Sequence, residues 1–168
     1  MKKIFKYIFA GMAAMSVVAC SEDALETSPS SSVSGNELLG TATNALVSLN
    51  GVYRAMYTAG VSNSSNTHQC FGITAYNLVA DVMGEDCIMN GQGSGWFWYD
   101  CVYNVKSRYT STGWRSYDMW NGYYTWISNV NYILAEEETM SGSETEKNYV
   151  LGQAYAVRAY SYFMLAQM

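Results

Sequence analysis

Across 168 residues there is one histidine, one proline and a charged fraction of only 14%. Each scarcity removes a class of function. A lone His68 gives a nucleophile-base relay or a histidine-ligated metal nothing to build on, because both need several partners. The nine Lys and Arg form no cluster outside the first six residues, and the net charge is -5. The basic surface that phosphate binding requires is therefore missing, and no nucleic-acid partner is expected. There is no G-x-S-x-G elbow and no phosphate-binding loop. The cysteines Cys20, Cys70, Cys87 and Cys101 include no C-x-x-C pair, so a zinc site is poorly supported. One disulfide among the last three would leave one thiol. Three pairings are open, and a buried reduced cysteine is the alternative.

What is present points to a packed domain. Hydrophobic residues make up 49%, too many against so few charges for a disordered chain. The length suffices for one domain with a core. Fifteen Tyr and five Trp are the outlier. Their flat apolar faces and polar handles suit surfaces that pack and still meet polar partners, sugars among them.

Residues 1–19 read as a signal peptide: Lys2, Lys3 and Lys6 precede an apolar run from Tyr7 to Val18, too short to span a bilayer as a mature helix. The run closes on Val17-Val18-Ala19-Cys20, which resembles the lipobox of bacterial lipoproteins. That resemblance implies lipidation (acylation such as palmitate) at Cys20 and stable anchoring, since each buried methylene contributes roughly 0.8 kcal/mol. Ser21-Glu22-Asp23 resembles a surface-export signal. Residues 20–35, with Pro29 and a run of serines, fit a flexible tether.

The body, residues 36–168, reads as helices. Ser34 and Glu37 have capping-box spacing before a helix from about Asn36, with Leu38, Ala42, Ala45, Leu49, Val52 and Met56 on one face. A second segment, Cys70 to Met83, carries Gly72, Ala75, Val79 and Val82 at helical spacing and stops at Gly84. The strongest pattern runs from about Trp114 to Glu137. There Tyr117, Trp120, Tyr124, Ile127, Asn131 and Leu134 repeat at threes and fours, which predicts a seam against a neighbouring helix. Glu136-Glu137-Glu138 opposes the helix dipole, so the helix frays there or meets a basic partner. The last helix begins after Ser143, again with capping-box spacing to Glu146. Val150, Ala154, Val157, Ser161 and Met164 line one face, and Leu151, Tyr155, Arg158, Tyr162 and Leu165 the adjacent one. Two such faces predict packing on both sides, with Gly152, Ala154, Ala156 and Ala159 allowing close approach. Arg158 needs a carboxylate or carbonyl partner, Glu137 or Asp118. Because this two-faced helix runs to Met168, the chain is expected to be the first part of a larger fold.

Five segments, in order, resemble the amino-terminal part of the SusD-like (RagB-like) outer-membrane nutrient-binding lipoproteins. The lipobox with its acidic start is the first. Ala45-Leu46-Val47-Ser48-Leu49-Asn50-Gly51-Val52-Tyr53 is similar to the family's "alnGvY" segment, and Leu78-Val79-Ala80-Asp81 with Glu85-Asp86 to its "l-a-D" segment. Trp120, Tyr124, Ile127, Asn131 and Leu134 match its "W-x-x-x-Y-x-x-I-x-x-x-N-x-x-L" helix. Gly152 to Leu165 is similar to "G-E-A-x-x-x-R-A-x-x-Y-F-x-L", with Gln153 for the usual Glu. Ala159, Phe163 and Ala166 also match part of a tetratricopeptide helix.

The resemblance implies a mostly α-helical array with tetratricopeptide-like helix pairs, here the truncated N-terminal part of a SusD-like fold. It also implies a surface-exposed, lipid-anchored protein of the cell outer membrane. Such a protein captures oligosaccharides, or less often peptides, and delivers them to a SusC-like TonB-dependent transporter, with no catalysis and no cofactor. A transporter lid without its own glycan site is the rival. A lipid-anchored glycoside hydrolase is a third reading, but it needs two carboxyls flanking the bond. The best ligand candidates are Trp96, Trp98 and Tyr99, whose rings can stack on sugar faces, with Asp100 and Asn104 meeting hydroxyls. Asp81, Glu85, Asp86 and Asn90 offer oxygen ligands without EF-hand spacing and read as a solvated turn.

Overall fold

Helices are the only extended regular elements among the residues described by this computed structural model, which are 38–58, 70–84, 86–93, 95–102 and 110–168. In chain order they are α1 (Ala42–Ala55), α2 (Ile73–Met83), α3 (Trp98–Cys101), α4 (Trp114–Ala135) and α5 (Glu144–Leu165). The signal peptide, Cys20, the tether, the Ser34–Glu37 box, His68, Glu85 and Asn104 lie outside the described residues.

The helix expected from Asn36 onward is interrupted. Residues 38–39 are helical, Gly40 bends, and Thr41 is extended. Thr41 then caps α1, its Oγ1 accepting from the Asn44 N–H at 3.1 Å. The break is held by pairing across the fold: Ser141 N donates to Gly40 O and Ala42 N to Ser141 O, each at 2.9 Å. Two hydrogen bonds to the α4–α5 turn replace the helical ones lost at Gly40. Ala42, Ala45, Leu49, Val52 and Met56 form the buried face that their spacing predicts. Leu38, in contrast, is exposed, and Leu39 takes its place inside.

α2 docks on the end of α1 through a glycine. Gly72 has φ 73°, and a Cβ there would lie 2.1 Å from Met56 O. That clearance lets Ile73 N donate to Met56 O at 2.8 Å. Ala75, Tyr76, Val79 and Val82 are buried, and Gly84 ends the helix as expected. Tyr76 reaches α4, where its hydroxyl donates to Asp118 O at 2.9 Å. Gly122 makes room, since a Cβ there would sit 2.6 Å from that hydroxyl. The rings of Tyr76, Tyr123 and Trp126 pack at centroid distances of 5.0 to 6.1 Å.

α4 and α5 form the largest interface, and α1 packs across both. They run antiparallel, because Glu137 meets Tyr155, Asn131 meets Arg158 and Tyr123 meets Tyr160. Ser143 and Glu146 form the capping box at the start of α5. The hydrogen bonds from Ser143 hold the Glu146 carboxyl below its ordinary value. α4 ends at Ala135, before the acidic run, which agrees with the expected fraying.

The seam on α4 is rotated from the expected one. Tyr123, Trp126, Val130 and Ile133 are its buried line, joined at the edge by Ile127 and Leu134. Tyr117, Trp120, Tyr124 and Asn131 face outward instead. Both lines repeat at threes and fours; the one chosen places its rings against α1, α2 and α5. On α5, Val150, Ala154, Val157 and Ser161 are buried, and Ser161 Oγ donates to Val157 O at 2.8 Å. On its second face Leu151 is buried, but Tyr155 and Tyr162 are exposed. Packing on both sides is thus not seen within these residues, and of the small residues Ala154 is buried while Gly152, Ala156 and Ala159 are exposed.

Candidate functional site

Residues 95–102 carry the aromatic run, and two conformational choices shape it. Gly93 and Gly95 have φ of 49° and 87°, so the glycine-rich stretch turns sharply before Trp96. Phe97 then adopts a left-handed conformation with φ 55°. That costs a bulky residue about 1 to 3 kcal/mol, which surrounding contacts must offset. They do so from inside: Phe97 is buried and meets Phe71 edge-on at 6.1 Å. One helical turn follows, with Asp100 N and Cys101 N both donating to Phe97 O.

The turn sorts its rings. Phe97 belongs to the core, Trp96 lies at the surface with 36% exposure, and Trp98 and Tyr99 are half-buried. Three rings of the run are therefore partly open, and the fourth is rooted in the core. Asp100, at the end of the run, turns inward. It is 1% exposed, and both its oxygens are engaged by Arg115 from the first turn of α4, Nη2 to Oδ2 at 2.5 Å and Nε to Oδ1. This bidentate geometry is the planar match of guanidinium and carboxylate. Asp100 is thus turned inward onto Arg115 and away from solvent. Asn104, the other polar candidate, lies outside the described residues.

Arg115 also borders a cleft of about 450 Å³ between α2 and α4, whose walls include Tyr76, Val79, Met83, Met119 and Trp120. Behind it, burial first and then Cys70 push the Tyr76 hydroxyl well above its ordinary range. Burial raises the Cys70 thiol as well, and burial followed by Tyr160 raises Tyr123. These groups remain protonated at neutral pH and are ill-suited to proton transfer there. Cys70 is buried with Sγ 3.6 Å from the Tyr76 hydroxyl, Cys87 is exposed, and the three described cysteines are unlinked. Among the described residues no three His, Cys, Asp or Glu side chains gather as a metal site would require. Asp81, Asp86 and Asn90 are exposed.

Sequence reasoning missed a second surface. Tyr155 donates to Glu137 at 2.6 Å, and Arg158 donates to Asn131 Oδ1 at 3.0 Å while its guanidinium lies over the Tyr155 ring at 4.9 Å. Arg158 therefore finds a carbonyl partner, the Asn131 amide oxygen, in place of the candidates Glu137 and Asp118; Tyr155 donates to Glu137, and Asp118 is buried. Trp120, Tyr124 and Tyr162 are also exposed on these two helices. The signal was in the sequence as a second 3–4 repeat, but the repeat does not say which face is covered.

The described residues thus form a helical array with partly open aromatic rings near a buried ion pair. Residues 55–168 match a SusD-like family described as starch-binding and associating with the outer membrane, and the chain belongs to that family. The matched stretch holds the segments around Asp81, Trp120–Leu134 and Gly152–Leu165; the Ala45–Tyr53 segment lies just before it. In the structure, Tyr53 of that segment donates to Gln153 Oε1 at 3.1 Å, so two of the resembling segments touch. No curated protein and no solved structure matches the chain.

Proposed function

We propose that this chain is the helical amino-terminal part of a glycan-binding lipoprotein anchored through Cys20 on the outer face of the outer membrane. It captures oligosaccharides and delivers them to a SusC-like TonB-dependent transporter, breaking no bond in the process. The observation that carries the reading is the family match over residues 55–168, which is described by starch binding and outer-membrane association. On this reading Trp96, Trp98 and Tyr99 offer rings on which sugars stack, and Asn104, close by in sequence, meets hydroxyls; the partial exposure of the three rings supports it.

Calorimetry of the full-length protein against a panel of oligosaccharides tests this. Trp98→Ala should weaken the bound glycan by roughly 1 to 3 kcal/mol, as a truncated stacking anchor does. An unchanged affinity in a folded variant removes the ring from the site. Absence of binding to every glycan, with the transporter still co-purifying, would favour the lid reading. Cys20→Ala should abolish labelling by radioactive palmitate.

A further inference from the structure

We propose that Arg115 is a positioning residue for the aromatic turn: through its fork on Asp100 it sets the direction in which Trp96, Trp98 and Tyr99 present their rings. The proposal rests on the reading of that turn as the ligand face.

A helix of four residues, Trp98–Cys101, is one turn long, and an isolated turn of that length is not stable in water, so its supports come from outside it. It packs on α2, with Cys101 against the core. Phe97, just before it, meets Phe71 edge-on. Asp100 adds a polar tie, buried and paired with Arg115 of α4. Of these supports only the bidentate fork fixes a plane, because two parallel N–H···O bonds align carboxylate and guanidinium. Trp98 and Tyr99 directly precede Asp100 on the same turn, and Trp96 leads into it, so the proposal is that the fork sets how this backbone presents their rings. Arg115 is itself held, in the first turn of a 22-residue helix whose core is packed on three others. The side chain therefore couples the turn to α4. Arg is required over Lys on this account, since an ammonium acts as a point charge and lacks the planar fork.

Fluorine NMR of the full chain carrying 5-fluorotryptophan tests the positioning directly, with each resonance assigned by Trp→Phe substitution. In Arg115→Lys the Trp96 and Trp98 resonances should shift or broaden while Trp126, in the core, stays in place. Unmoved Trp96 and Trp98, or all three moving together, would overturn the proposal. Asp100→Asn, which keeps the shape of the side chain, should give the same pattern and serves if Arg115→Lys does not fold. Loss of the whole fold in both variants also overturns it, because the pair would then hold the core and not the turn.

Titration with maltoheptaose adds the functional arm. Arg115→Lys and Trp98→Ala should each weaken binding by about tenfold, and the double variant should be no weaker than Trp98→Ala alone. Additive losses, or Arg115→Lys binding like wild type while Trp98→Ala is weakened, would sink the proposal. If Trp98→Ala also binds like wild type, or the wild type ignores maltoheptaose, the ligand reading of the turn fails instead. The fluorine spectra then still decide whether Arg115 sets the rings.

Discussion

The two faces of α4 carry nearly the same chemistry and meet opposite fates. Inward, Tyr123, Trp126, Val130 and Ile133 are wholly buried. Outward, Tyr117, Trp120, Tyr124 and Asn131 repeat at the same threes and fours yet stand open, with the Trp120 and Tyr124 rings tilted against each other at 4.9 Å. Aromatic content does not separate them, since each face has at least two large rings. What separates them is the presence of partners. The inward line meets α1, α2 and α5, and glycine at position 122 admits the Tyr76 ring. A periodic stripe thus states that a helix has a packing face without stating which of two adjacent stripes it is.

Substitutions can break or sharpen this contrast. The largest effect is expected for Trp126→Ala, which should destabilise the fold by about 3 to 5 kcal/mol in chemical denaturation, as for other aromatic truncations in cores. Tyr76→Phe removes only the hydroxyl that donates to Asp118 O and should cost about 1 to 2 kcal/mol in the same assay. On the open face Trp120→Ala should cost less than about 1 kcal/mol, the range of surface changes. If Trp120→Ala proves as costly as Trp126→Ala, the outward face is covered in the protein and the contrast fails. Asn131→Ala should have the smallest effect, below about 0.5 kcal/mol, since its hydrogen bond to Arg158 is solvent-exposed.

Much of the fold could be read without coordinates, and the failures have identifiable causes. The α5 start at Ser143 follows from local hydrogen-bond chemistry, and the buried line of α1 from spacing, so both could be foreseen. The break at Gly40 could not, because its reason is a pairing with Ser141, 101 residues away. In the candidate site, the run from Trp96 to Tyr99 was conspicuous, but its sorting into one rooted ring and three partly open ones depends on the left-handed Phe97. Asp100 looked like a ligand contact because a carboxylate beside aromatics suits sugar hydroxyls. Its partner Arg115 lies across a loop, and no local pattern links the two.

The sequence by itself determined that the chain is helical, where several helices begin and end, and which family it belongs to, because caps, glycine stops and 3–4 periodicity act over a few residues. Only the tertiary structure decided which stripe of α4 is buried, that Arg158 turns to Asn131, and that Asp100 turns inward onto Arg115. Those outcomes depend on which groups compete for the same partner in space, and spacing along the chain contains no term for that competition.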